Sequence, residues 1–333
     1  MTERRHLPRT RILGTGRCVP DRVLTNADLE ARVDTSDEWI RTRTGIRERR
    51  IAPPGMDTCD LCEGAARRAL EMAGLRPTDL DLVIVATVTP ALGFPATACL
   101  LQDRLGISGQ MAFDLSAGCT GFLYALTVAD QFIRTGAARH ALVIGAEILS
   151  RILDWEDRTT CVLFGDGAGA AVLGPAEEPG QGILAARMEA DGSYWPLLHM
   201  PGGGSRHPAS PESLRERLHC VKMQGNEVFR VAVRTLHRIA EEVLETAGCS
   251  GNDLDWFVPH QANRRIIDAV RLRLHVPEDK VYVNLDRYGN TSAASVPIAL
   301  DEMVRSGLLK PNDLVLLDAF GAGFTYGAVL IRW

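Results

Sequence analysis

Three absences bound this 333-residue chain before any motif is read. No apolar run is long enough for a secretory core or a membrane span, and the basic opening from Met1 to Arg11 leads into none. That predicts a cytoplasmic protein. There is no excess of positive charge: the formal net charge is −5, which argues against bulk nucleic-acid binding and leaves only a local basic patch to recruit an acidic partner. Cysteine is sparse as well. Eight in a chain of this length make no disulfide scaffold, and a reducing compartment keeps them as thiols. Cys59 and Cys62 form one Cys-x-x-Cys without a second pair. The helical pattern after them (Ala65, Ala66, Ala69, Leu70) predicts core positions rather than a metal or redox site.

What is present is enough apolar material, 46% of residues, for a large core, with a length that suits two domains or one duplicated one. Helical segments alternate with β-rich runs at Asp81–Thr89, Ala141–Ala146, Val162–Leu173 and Leu314–Asp318, the pattern of an α/β fold with a largely parallel or mixed sheet. The pattern occurs twice. Ala73-Gly74-Leu75 running to Asp79-Leu80-Asp81 is echoed by Ala247-Gly248-Cys249 running to Asp253-Leu254-Asp255, each glycine placed as a helix-ending residue with positive φ. Cys119-Thr120-Gly121 opens a helix that ends Arg134-Thr135-Gly136, and Asn290-Thr291-Ser292 opens one that ends Arg305-Ser306-Gly307. Phe164–Gly169 before Ala171-Val172-Leu173 is matched by Phe320–Gly323 before Ala328-Val329-Leu330. Two similar halves, 1–174 carrying Cys119 and 175–333 carrying His260 and Asn290, account for all three echoes. A pseudo-twofold relation between the halves brings Cys119 and Asn290 to one cleft. Pro175–Gly182 reads as the linker and Pro201–Pro211 as an exposed loop.

Cys119 sits between Gly118 and Gly121 at the start of a helix, where free N–H groups and the positive dipole end favour a thiolate. His260 follows the strand-like Asp255–Val258, at the kind of strand end where open α/β sheets bind ligands. Asn290 opens a helix, as a cap or as a hydrogen-bond donor. A cysteine, a histidine and an asparagine suit two chemistries, a papain-like hydrolase or a thioester-handling condensing enzyme. These three residues alone do not choose between them.

The surrounding segments do. Thr35–Arg50 (TSDEWIRTRTGIRERR), Asp114–Phe122 (DLSAGCTGF), Phe164–Ala170 (FGDGAGA), Gln224–Phe229 (QGNEVF), Pro259–Asn263 (PHQAN), Tyr288–Ser292 (YGNTS) and Phe320–Gly327 resemble, in order, β-ketoacyl-acyl carrier protein synthase III. The resemblance runs from about Arg11 to Trp333. It implies the thiolase fold, two βαβαβαββ halves in a five-layered α-β-α-β-α stack, usually as a homodimer. It also implies a reaction: Cys119 takes an acyl group from acyl-CoA, malonyl-acyl carrier protein loses carbon dioxide, and His260 and Asn290 stabilise the enolate that attacks the acyl-cysteine. By the same resemblance the backbone N–H groups of Cys119 and Ala322 form the oxyanion hole, the latter where many relatives have glycine. Trp39 and Arg158 sandwich the adenine of CoA. Phe94 crosses to the partner's acyl pocket, and Phe164 lines that pocket. Arg230, Arg234, Arg265 and Arg273 dock the acidic carrier protein, Arg238 sharing the face of Arg230 and Arg234, while Leu272 stands where some relatives have lysine. No metal or redox cofactor is implied. The size of Phe94 and Phe164 suggests a short primer such as acetyl. The rival readings are a relative serving polyketide or other secondary metabolism with another primer, and, from other classes, a Cys-His-Asn hydrolase or a catalytically silent subunit.

Overall fold

A helix buried around most of its circumference needs packing partners on both sides, and two helices of the described residues are of that kind. Gly121–Arg134 carries Phe122, Leu123, Leu126, Ala129 and Ile133 in the core, and in Ser295–Arg305 every residue from Ser295 to Met303 is buried. The computed structural model, which describes residues 9–333, places both helices between two sheets. The first eight residues of the basic opening lie outside the described residues.

The first sheet runs in the order Thr10–Cys18, Gly167–Pro175, Ala141–Glu147, Leu82–Ala86, Met111–Leu115. Its last three strands are mutually parallel, and Gly167–Pro175 is antiparallel to both its neighbours. The second sheet repeats that order with Gly182–Ala190, Thr325–Arg332, Leu314–Gly321 and Trp256–Pro259, and a single parallel bridge from Phe257 to Val281 stands where the fifth strand would be. The helices Thr58–Ala73 and Thr97–Arg104 cover the outer face of the first sheet, and Gly225–Thr246 with Arg264–Arg273 covers that of the second. The result is the five-layered α-β-α-β-α stack that the family resemblance implies. Among the described residues no helix is long and apolar enough to cross a membrane.

The shared punctuation has the backbone reason assigned to it: Gly74 and Gly248 have φ of 65° and 70°, and Gly136 and Gly307 have 77° and 69°. Cys59 and Cys62 are buried in the core that Thr58–Ala73 forms with the first sheet. One β-rich run differs from expectation. Of Val162–Leu173 only the part from Gly167 is strand. Before it, Gly165 N–H donates to the Asn290 carbonyl, and Asn290 N–H donates to that of Leu163. The Asp166 carboxylate accepts from Ala52 N–H, Ser150 N–H and the Ser150 hydroxyl. The backbone that would have extended the sheet ties the two halves together instead, because its hydrogen bonds are taken up there.

The halves meet backbone to backbone. A Cβ on Gly145, in the strand Ala141–Glu147, would lie 2.1 Å from the Ala293 carbonyl oxygen and 2.6 Å from its carbon. No flexible side chain is there to give way, so Gly145→Ala is expected to cost about 1–3 kcal/mol or more of unfolding free energy. Gly192→Ala, with nothing within 4 Å of its added carbon, is expected to stay within about 0.5 kcal/mol. Denaturant midpoints of the two variants check the contrast.

Candidate active site

Each of the three chemistry-bearing residues is delivered by a junction between secondary elements. Cys119 lies in the 3₁₀ turn Gly118–Thr120 that feeds the helix Gly121–Arg134. His260 follows the strand Trp256–Pro259, and its N–H is tied to the Asp318 carbonyl of the neighbouring parallel strand at 2.8 Å. Asn290 sits between Gly289, whose φ is 64°, and a turn whose Ser292 N–H donates to the Asn290 Oδ1 at 2.8 Å. All three are buried, at 8%, 6% and 7% exposure, yet all three line one cavity of about 670 Å³.

The polar atoms left over point to the chemistry. The Asn290 amide oxygen is engaged, which frees its NH₂ to donate. The hydroxyl of Ser295 lies 2.6 Å from His260 Nδ1 and accepts a hydrogen bond from Gln261 N–H at 3.4 Å. That hydroxyl still has its hydrogen to give to Nδ1, and this pairing assigns the ring proton to Nε2. Nε2 is buried and has no partner among the described residues. Burial pushes the imidazole down to about 3, so the ring is neutral at any physiological pH. Two neutral N–H donors, His260 Nε2 and Asn290 Nδ2, are therefore available beside a thiol in one cavity, an arrangement suited to stabilising negative charge on a bound oxygen.

A second pair of donors comes from backbone. A Cβ on Gly321 would stand 2.5 Å from Cys119 N, and one on Gly118, whose φ is +54°, would stand 2.8 Å from Ala322 N. Only glycine at both positions lets the two loops lie against each other and bring the two amides together. Ala322 keeps a negative φ, so its side chain does not strain the backbone there.

The structure corrects the expectation of a resting thiolate. Burial pushes the Cys119 thiol up to about 12; a hydrogen bond from Ser292 opposes this and the nearby Glu147 carboxylate adds to it. The helix start is where the sequence placed it, but loss of water outweighs the dipole. Cys119 rests as a thiol and must lose its proton during reaction.

Around this centre the expected contacts divide. Phe164 is buried and lines the cavity, as do Trp39, Arg230 and Arg265. Arg265 lies over the Phe229 ring at 5.4 Å, and Arg230 is paired with Glu227. Arg158 does not line the cavity; its guanidinium carbon rests 5.3 Å from the centre of the Trp39 ring, and it donates to the Asp34 carbonyl. A base held between the two would need two stacking gaps of about 3.5 Å each, so Arg158 must swing away for the expected sandwich to form. Arg234 and Arg273 are exposed and outside the cavity lining, and Arg238 is locked to Glu189 and Glu242. Phe94 is 88% exposed and lines no part of its own chain's cavity. Sequence reasoning missed Arg43, which lines the cavity, and Ser295, Ser292 and Glu147 behind it. Arg43 and the two serines lay within or beside quoted motifs; Glu147 at the end of an apolar strand gave no local signal.

Comparison with known proteins agrees with this geometry. A family model described as 3-Oxoacyl-[acyl-carrier-protein (ACP)] synthase III matches residues 113–192, and its C-terminal counterpart matches 244–333. The chain is 57% identical over 322 residues to a beta-ketoacyl-[acyl-carrier-protein] synthase III of Caldanaerobacter subterraneus subsp. tengcongensis, spanning 97% of each. It is 58% identical over 323 residues to the like-named protein of Thioalkalivibrio sulfidiphilus, spanning 97% of this chain and 99% of that one. Among solved structures, a 3-oxoacyl-[acyl-carrier-protein] synthase III from Aquifex aeolicus VF5 superposes with a TM-score of 0.90 at 51% identity, over 97% of this chain and all of that one. The priming beta-ketosynthase of the R1128 polyketide biosynthetic pathway gives 0.89 at 40%, over 98% and 97%.

With its pKa held near 3 by burial, His260 is expected to show no titration between about pH 5 and 8, the window of an unperturbed imidazole. Ring-proton shifts followed by NMR check this; a midpoint near the ordinary value would contradict the buried, neutral assignment. Ser295→Ala removes the donor to Nδ1 and is expected to let the ring adopt the other tautomer, visible as a change in the ring nitrogen shifts.

Proposed function

Because the chain belongs to the 3-oxoacyl-[acyl-carrier-protein] synthase III family, and is accordingly an acyltransferase that condenses an acyl-CoA with malonyl-acyl carrier protein to begin fatty acid synthesis, we propose how its residues divide that work. The observation that carries the reading is the convergence of one buried thiol and two neutral side-chain donors on a single cavity, with the Ala322 loop packed against the turn that carries Cys119.

The Cys119 sulfur attacks the thioester carbon of acyl-CoA. The N–H groups of Cys119 and Ala322 receive the oxygen as it becomes negative, and CoA leaves as the C–S bond breaks. Malonyl-acyl carrier protein then occupies the same cavity. As its carboxylate departs as carbon dioxide, the electron pair moves towards the thioester oxygen, where His260 Nε2–H and Asn290 Nδ2–H hold the enolate. Its carbon attacks the acyl-cysteine, the same oxyanion site is used again, and Cys119 is expelled as the 3-oxoacyl product forms. A neutral histidine suits this sequence: it stabilises the enolate by a hydrogen bond without protonating the carbon that must react.

Arg43, Arg230 and Arg265 surround the cavity with positive charge suited to an acidic carrier protein and to the phosphates of CoA. Arg234 and Arg273 extend that surface outside the cavity. Trp39 offers an aromatic face for the base, with Arg158 closing over it after moving from its present stack. Phe164 bounds the acyl end, and the exposed Phe94 suits a contact with a second copy in a cytoplasmic homodimer. These two rings support a short primer such as acetyl. The relatives named beta-ketoacyl- or 3-oxoacyl-[acyl-carrier-protein] synthase III, at 51–58% identity, support primary metabolism over the polyketide-priming reading, represented at 40%.

Cys119→Ser is expected to abolish acylation by acetyl-CoA, read by intact mass. His260→Ala and Asn290→Ala are expected to acylate normally and to lose about 100-fold or more in release of labelled carbon dioxide from carboxyl-labelled malonyl-acyl carrier protein. Equal loss of both steps in all three variants would overturn this division of roles.

A further inference from the structure

The reaction above leaves a buried carboxylate close to the nucleophile without a task. Glu147 ends the strand Ala141–Glu147 and is wholly buried, yet it does not line the cavity. Its carboxylate accepts from the Thr89 hydroxyl at 2.6 Å, from Val88 N–H at 3.2 Å, from the Ser292 hydroxyl at 3.2 Å and from the Thr87 hydroxyl at 3.3 Å. Among the described residues no cation is paired with it. On top of burial, its charge helps to raise two thiols, Cys119 and Cys62 of the helix Thr58–Ala73, the latter also raised by Cys59, Asp114 and Asp57.

Ser292 connects this carboxylate to the nucleophile. Its φ is +50°, unusual for a residue with a side chain, and the bond from its N–H to Asn290 Oδ1 holds it there. In that position its hydroxyl donates to Glu147 at 3.2 Å, and its turn Ser292–Ala294 packs against the turn Gly118–Thr120 that carries Cys119, whose thiol Ser292 helps to hold down. A hydroxyl has one hydrogen and cannot serve two anions at once. With Cys119 as a thiol there is no conflict: S–H donates to Ser292 Oγ, and Ser292 O–H donates to the carboxylate.

We propose that Glu147 acts through Ser292 as the proton holder for Cys119, taking the thiol proton as the cysteine is acylated and returning it when the product departs. In the forward step the S–H bond breaks as sulfur attacks the thioester carbon. That proton goes to Ser292 Oγ while the serine's own proton passes to Glu147, and CoA leaves as a thiolate that is protonated by solvent. In the second step the C–S bond of the acyl-cysteine breaks and the sulfur recovers a proton from Ser292, which is resupplied by Glu147. The exchange keeps a single negative charge in a water-poor region. It also removes the carboxylate charge that holds the thiol up at the moment sulfur must become nucleophilic. Burial raises Glu147 to about 7, so near neutral pH it can both accept and release a proton. Glu147 is thus a positioning and proton-holding residue that acts through Ser292.

The inference rests on Cys119 as the nucleophile, so its test avoids the natural substrates. Iodoacetamide alkylation of Cys119 is followed by peptide mass mapping from pH 5 to 10 in the full-length protein, in Glu147→Gln and in Ser292→Ala. Wild-type reactivity is expected to rise through about pH 7, as Glu147 ionises, and then to level off. Both variants are expected to lose that limb and to react at least tenfold more slowly at pH 7.5. Variants that keep the limb at reduced height, or a Glu147→Gln protein that reacts faster because only a repelling charge was lost, would overturn the proposal. Ser292→Ala carries the test should Glu147→Gln fail to fold. A Cys119→Ser protein that still condensed would instead sink the assignment of the nucleophile.

Discussion

The site depends on two backbones being able to touch. Where the helix-opening turn of the first half meets the last hairpin of the second, Gly118 and Gly321 each stand where any side chain would strike the other's loop within 3 Å. That contact juxtaposes the Cys119 and Ala322 amides. It is repeated one layer away, where Gly145 meets the Ala293 carbonyl beside the turn that carries Asn290 and Ser292. Packed interiors deform little, so these glycine contacts set the positions of donors that would otherwise be left to loops.

Close approach also excludes water, and from that follow the electrostatics of the centre. The same burial that raises Cys119 and Glu147 depresses His260. Desolvation penalises whichever form is charged, so acids move up and bases move down. The result is a centre at rest with a neutral thiol, a neutral imidazole and one hydrogen-bonded carboxylate behind them.

Much of this was legible in the sequence because duplication writes the same physics twice. The paired Ala-Gly and Arg-x-Gly endings disclosed helix stops that need positive φ, and their register put Cys119 and Asn290 in corresponding junctions. His260 was legible because a strand end followed by a helix start is a place with meaning in an α/β sheet. What could not be read was anything carried by long-range contact. Asp166 looked like part of a strand and is a latch to Ala52 and Ser150. Arg238 looked like one of a docking row and is held by Glu189, nearly fifty residues away along the chain. Glu147 is one polar residue at the end of seven buried positions, and only its distance to Ser292 gives it a role. The thiolate expectation failed for a related reason: a helix start is visible in sequence, whereas the depth of its burial is not.

The placement of charge across the cavity then has one consistent explanation. Arg43, Arg230 and Arg265 are exposed members of the cavity lining, and among the described residues no cation lies with the donors at its floor. An arginine at the floor would stabilise an enolate more strongly, but its uncompensated charge in the absence of substrate would be costly to bury. It would also hold the enolate in a deep well and slow the attack of its carbon on the acyl-cysteine. Neutral N–H donors avoid both costs, since they need no counter-ion when the cavity is empty and lower the energy of the developing charge without trapping it. The cations at the mouth serve the other requirement, attracting anionic carriers from a distance. Dry neutral donors below and charged side chains above are thus two answers to one constraint, that the negative charge exists at the floor only while the reaction is in progress.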